Sequence, residues 1–200
     1  MEPVTLTTER LLLRTFTPDD TEAVLRACQD PDILRWTTVP APYERHHAVE
    51  YTERMVPEGW RTGTMYTFAV VPREGGPVMA SIAITLRTHS GTWEIGYWTA
   101  AEHRGRGVMV ESARALAHWA FTTLGATRLE WRAEVGNEGS RAVAERAGFT
   151  VEGVLRAALM NKDTLRDCWV GSLLPSDLAL PSPYAYLPHR RGTGTDEHSG

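Results

Sequence analysis

The spacing of apolar residues changes several times along the chain, and each change marks an element. Residues 10–14, Arg-Leu-Leu-Leu-Arg, read as a first strand. Thr17-Pro18-Asp19-Asp20 then has the form of a helix start: a capping residue, a proline at the first helical position and acids in the first turn. Ala23, Val24 and Ala27 carry that helix toward Asp30-Pro31, and Ile33, Leu34 and Trp36 form a second short helical piece. Beyond Pro40 and Pro42, residues 43–56 predict another helix, ended by Pro57 and Gly59. Residues 65–71 and 78–86 are rich in β-formers and predict a hairpin across a Pro- and Gly-bearing loop. Residues 93–99 continue the meander through a turn at His89-Ser90-Gly91.

The pattern becomes helical over residues 107–122, where Val110, Ala113, Ala117, Ala120 and Phe121 recur at helical spacing before Gly125. Residues 127–133 alternate as a strand, which after a helical crossover lies parallel to 93–99. A polar link, Glu134 to Glu138, leads to a helix over 140–147 that stops at Gly148. Strands over 152–160 and 164–173 follow, turned by Asn161-Lys162-Asp163. From Pro181 the chain is Pro, Gly, His and charge without apolar periodicity, so residues 181–200 predict a disordered tail behind one domain, 1–180. Antiparallel strands around one strand-helix-strand unit define an α+β domain.

Within this plan, Glu102-His103-Arg104-Gly105-Arg106-Gly107-Val108-Met109 joins a strand to a helix start through two glycines. Unpaired amides and the positive end of the helix dipole make such a turn an anion cradle. It is neither a P-loop nor a Rossmann fingerprint: Gly107 lacks a following Lys, and Val110 stands where a third glycine belongs.

Two hundred residues, 42% hydrophobic, are enough for one sizeable core. The formal charge of −4 and pI near 6.0 give no global basic field, which argues against a nucleic-acid partner. Cys28 and Cys168 are far apart and fit no metal or redox spacing. No signal segment and no span of about 18 apolar residues is present, so a cytoplasmic protein without a membrane partner is expected.

Three stretches taken together, Glu94-Ile95-Gly96-Tyr97-Trp98, Glu102 to Glu111, and Asn137 to Phe149 followed by Glu152 to Arg156, resemble the GNAT acetyltransferases. Within that family they are similar to the RimJ/RimL-like branch of ribosomal-protein N-terminal acetyltransferases. The resemblance covers roughly residues 5–178 and implies a mixed, mostly antiparallel sheet with a central splayed parallel pair flanked by helices. It also implies acetyl-CoA, or another acyl-CoA, as co-substrate, no metal, and a primary amine as acceptor. Glu102 departs from the Gln or Arg that opens the family's phosphate turn.

On this resemblance the pyrophosphate meets backbone amides from Arg104 through Gly105, Arg106, Gly107 and Val108 to Met109. Tyr97 and Trp98 bond pantetheine and polarise the carbonyl by their backbone, with Gly96 allowing a bulge; Asn137 holds pantetheine. Ser140 protonates the departing sulfur, and Glu94 accepts the amine's proton. Each residue has a plainer reading: Glu94 as an exposed strand charge, Asn137 and Ser140 as a cap and first turn, Arg104 and Arg106 as solvated surface. Glu111 reads as structural, Arg141 and Arg146 as possible ribose-phosphate contacts, His46-His47 as helix surface, and Trp36 and Trp60 as packing or as acceptor-pocket walls. A protein α-amine is the favoured acceptor. The alternatives are a small-molecule or antibiotic amine, a succinyl-CoA-using transferase, and a CoA-binding regulatory module without catalysis. Exposed strands or aromatic surface leave a homodimer open.

Overall fold

A computed structural model describes residues 1–88 and 91–188 of the chain. The turn expected at His89-Ser90 and the last part of the expected tail, residues 189–200, lie outside the described residues. Residues 181–188 run exposed and without regular structure.

Eight strands form one sheet: β1 (Leu6–Thr7), β2 (Leu11–Arg14), β3 (Met65–Pro72), β4 (Ala80–Thr88), β5 (Thr92–Thr99), β6 (Arg128–Glu134), β7 (Thr150–Asn161) and β8 (Thr164–Leu173). Their order is β1-β2-β3-β4-β5-β6-β8-β7, antiparallel except for the parallel pair β5–β6. The helices are α1 (Thr21–Ala27), α2 (Pro31–Trp36), α3 (Arg45–Glu50), α4 (Val56–Thr62), α5 (Val108–Thr122) and α6 (Glu138–Ala147). The crossover from β5 through α5 puts β6 beside β5 in the parallel sense expected from the strand-helix-strand pattern.

Strand alternation divides the sheet into two faces. One, called here the α5 face, carries Phe68, Ile82, Ile84, Ile95, Leu129 and Trp131, all at most 2% exposed. On it Trp119 of α5 packs edge-on against Tyr66 and Phe68, with Trp60 of α4 in the same aromatic cluster. The opposite face is met at β4 by the helical segment that follows α3, where the Tyr51 hydroxyl meets Ser81 at 2.7 Å. Farther along, that opposite face carries alternating charges. Arg87 pairs with Glu94 at 3.3 Å, Arg132 and Arg128 both pair with Glu130 at 3.2 Å, and Arg128 reaches Glu152 at 2.6 Å.

The helix predicted over residues 43–56 does not end at Pro57 and Gly59. A π-helical segment, Tyr51–Met55, follows α3, and the chain continues as α4 to a left-handed Gly63. Pro57 has no N–H, and the wider π turn, in which the Val56 amide bonds Tyr51 O, relieves the clash that proline would cause in an unbroken α-helix. Trp60 is therefore a core residue, 1% exposed and donating to Thr67 O at 3.1 Å, rather than an acceptor-pocket wall.

Candidate active site

The two halves of the site are a phosphate-sized cradle and a gap between strands. Gly105 and Gly107 both adopt left-handed φ, 71° and 75°, which turns the chain from β5 into α5. The first helical bond runs from the Glu111 amide to Gly107 O, and among the described residues the amides from Gly105 to Val110 meet no acceptor. A Cβ on Gly105 would meet no atom within 4 Å, so packing within the chain does not require a glycine there; the open side of the turn fits an anion. Val108 and Met109 contribute only backbone, since their side chains are buried. Glu102 is turned outward, its side chain 71% exposed.

α5 is fixed at this end by Glu111. Its carboxylate accepts from the Thr8 hydroxyl at 2.6 Å, the Arg10 amide at 3.1 Å and Arg10 Nε at 2.8 Å. Burial pushes this carboxyl up, but the Thr8 and Arg10 hydrogen bonds prevail and hold it below its ordinary range. Glu111 is thus a structural anchor, as its position one turn past Gly107 suggested.

β5 and β6 pair from Thr92↔Arg128 to Ile95↔Trp131 and then part. Beyond that point β5 continues only with β4, and β6 only with β8. The register of β4 with β5 is unbroken from Thr99 back to Trp93, so Gly96 holds no bulge, contrary to expectation; the gap comes from lost pairing with β6. Gly96 instead leaves space, because a Cβ there would meet nothing within 4 Å.

Ser140 sits at the parting of the strands, on the α5 face. Trp131 Nε1 donates to Ser140 Oγ at 3.0 Å, Ser140 Oγ donates to the Tyr97 hydroxyl at 3.2 Å, and that hydroxyl donates to Ser140 O at 3.0 Å. Because an indole N–H can only donate, it sets the direction of the chain and leaves the serine proton on the Tyr97 side. Burial raises the Tyr97 hydroxyl to about 12, so it stays protonated at neutral pH. Asn137 caps α6 by accepting from the Ser140 amide at 3.1 Å. Trp131 was not singled out in the sequence, although strand alternation in the parallel register already put it beside Ile95.

Glu94 lies on the opposite face from Ser140, 29% exposed, with Arg87 at 3.3 Å and Arg132 at 3.8 Å. The Arg104 guanidinium is turned away from the cradle: its nitrogens bond Thr99 O, Asp32 at 3.0 Å and Asp30 at 2.5 Å, and its amide bonds Ala101 O. Arg106 is exposed and its side chain has no partner among the described residues, so it is the cation available at the loop. Arg141 is engaged by Glu145 at 2.9 Å and lies over Trp169. The rings of His46 and His47 lie 3.8 Å apart and tilted at 46°, and among the described residues no group of three or more His, Cys, Asp or Glu is placed to hold a metal. Cys28 and Cys168 are buried, and burial raises the Cys28 thiol to about 11.

A cradle of open amides beside a splayed parallel strand pair is the arrangement that the resemblance to the acyl-CoA-dependent N-acyltransferases implied. The acetyltransferase (GNAT) domain family matches residues 10–150, and the chain belongs to that family. The chain is 27% identical over 176 residues to the uncharacterized N-acetyltransferase p20 of Bacillus licheniformis, covering 88% of this chain and 98% of that one. It is 36% identical over 76 residues to the ribosomal-protein-serine acetyltransferase of Escherichia coli, 38% of this chain and 42% of that one. The fold matches Mycobacterium smegmatis RimJ in complex with CoA-disulfide, with a TM-score of 0.77 at 20% identity, covering 89% of this chain and 92% of that one. The protein is a GNAT N-acetyltransferase, a class of enzyme that uses an acyl-CoA as co-substrate. No helix among the described residues is long and apolar enough to cross a membrane.

Proposed function

We propose that the acceptor is the α-amine of a protein N-terminus and that the acetyl group passes to it by direct attack. The observation that carries this reading is the position of the parted strands, with the Ser140 hydroxyl on one face of the gap and Glu94 on the other. The name of the Escherichia coli relative, a ribosomal-protein-serine acetyltransferase, supports a protein acceptor, and a ribosomal protein is the first to try.

In the reaction, the amine nitrogen bonds to the thioester carbon, the C–S bond breaks, the amine loses a proton and the thiolate gains one. The open amides from Gly105 to Val110, with Arg106 beside them, hold the diphosphate of the donor. On the side that β6 has left, the backbone of Tyr97 bonds the pantetheine arm and polarises the carbonyl, whereas the expected backbone contact of Trp98 is taken up by Ser81 of β4; Asn137 holds the arm near α6. Ser140 gives up its hydrogen bond to Tyr97, donates its hydroxyl proton to the departing sulfur, and is reprotonated from solvent once CoA leaves. Glu94 accepts the amine's proton through water. An α-amine, with an ordinary pKa of about 8, is easier to deprotonate at neutral pH than a lysine, at about 10.4, by roughly 3 kcal/mol.

Initial rates on a peptide with a free α-amine and on its α-blocked, lysine-bearing counterpart test the acceptor. The α-amine peptide is expected to react faster by at least about ten-fold. Equal or faster lysine acetylation contradicts the reading, and exclusive turnover of small amines favours a metabolite acetyltransferase.

A further inference from the structure

The short helix α2 bridges the ends of the two diverging strands. Arg104, anchored on O of Thr99 at the end of β5, bonds Asp30 and Asp32 at the start of α2. At the other end, Arg35 bonds Glu134, the last residue of β6, at 2.6 and 2.9 Å. Six residues of helix are about 9 Å long, the scale of a strand pair that has lost its hydrogen bonds. The tip of the β7–β8 hairpin closes over the same end: Asn161 Nδ2 donates to Arg35 O at 3.1 Å, and Lys162 donates to Leu34 O. The ring of Trp36 comes to 3.7 Å from a Cβ built on Gly136, beside the cap of α6.

We propose that α2 is a strap across the acceptor side of the gap, and that Arg104 is a positioning residue which tensions it and so sets acceptor binding rather than donor affinity. The proposal rests on the acyl-transfer reading for what passes under the strap. A six-residue helix has little stability of its own, and Ile33 is its one buried residue, so its position depends on the clamps at its ends. Glu134 lies on the sheet face opposite Ser140, and an amine attacking from the side away from the leaving sulfur arrives on that face, past α2. The Arg104 side chain is poorly suited to the diphosphate, because Nε, Nη1 and Nη2 all have acceptors and two carboxylates outweigh its single charge. Arg106, two residues on, has no such engagement. The loop that cradles the donor is thereby tied mechanically to the element that covers the acceptor.

Arg104→Met and Asp30→Asn test the strap; asparagine keeps the helix cap and removes the charge. In the full-length protein, each is expected to speed amide exchange over residues 31–36 about ten-fold while leaving α5 unchanged. Each is also expected to raise the acceptor KM about five-fold or more, with the calorimetric Kd for CoA within about two-fold of wild type. The double variant is expected to be no worse than either single one. A Kd for CoA weakened about ten-fold by Arg104→Met, with exchange over 31–36 unchanged, overturns the proposal and makes Arg104 a phosphate ligand. Additive effects of the two substitutions overturn it as well. If the wild type acetylates no amine, the acyl-transfer reading fails, and the exchange measurement still decides whether Arg104 holds α2.

Discussion

In the proposed reaction, Ser140 is the residue on which the chemistry depends most directly. Its hydroxyl accepts from Trp131 and donates to Tyr97, so the side chain is held in place before any substrate arrives. Ser140→Ala is expected to lower kcat by about 100-fold, the low end for a positioned acid, with little change in CoA affinity. A CoA-release assay paired with calorimetry checks this; a loss confined to affinity would reduce Ser140 to a cap residue. Gly105 gives a second test at this scale. Gly105→Ala and Gly125→Ala both put a side chain at left-handed φ, 71° and 67°, with no neighbour within 4 Å. Both are expected to cost about 1 kcal/mol of stability, and only Gly105→Ala is expected to weaken CoA binding, by about ten-fold or more. Equal CoA affinities in the two variants contradict the cradle. The glycines, Asn137 and Ser140 were legible in the sequence because their backbone roles travel with short motifs. The engagement of Arg104 was not, since Asp30 and Asp32 are more than seventy residues away in the chain.

At the scale of elements, the ends of β6 and α2 are joined by a buried charge. Glu134 is 6% exposed, and the hydrogen bonds from Arg35 hold its carboxyl below its ordinary value of 4.5, against the upward push of burial. Its folded pKa is lowered, so its contribution to stability is present above 4.5 and is lost as pH falls through the folded value. Acid unfolding monitored by circular dichroism is expected to show a shallower loss of stability below that pH in Glu134→Gln than in wild type. An unchanged acid limb contradicts the assignment. Most elements were visible from periodicity alone, including the turn at Lys162 and Asp163, both of which adopt positive φ. The helix through Pro57 was not, because a π turn that tolerates proline has no signature in apolar spacing. The splay of β5 and β6 followed from the family resemblance, but the bulge expected at Gly96 is absent, because pairing is a property of two strands and β5 read by itself shows nothing of where β6 leaves it.

Across the whole molecule, the aromatic cluster on the α5 face supports the site from behind. Trp60 joins α4 to β3 and packs with Trp119 of α5, the helix whose first turn forms the cradle. Trp60→Ala is expected to cost about 3–5 kcal/mol of stability by denaturant unfolding, and a loss below about 1 kcal/mol contradicts its placement. The charge ladder on the opposite face is partly exposed, and pairs screened by solvent are worth about 1 kcal/mol each, so it adds less to the sheet than the buried aromatic face does. On the proposed reading, the donor meets one face through backbone amides, and the amine reaches the other past α2 and Glu94. The most direct test of this division is mass spectrometry of a peptide whose one reactive amine is its N-terminal α-amine, incubated with the protein and acetyl-CoA. The account predicts one acetyl group on that α-amine, release of an equal amount of CoA and no acetyl group on the protein. Acetyl retained on the protein, or CoA release without acetylated peptide, would contradict direct transfer to an α-amine.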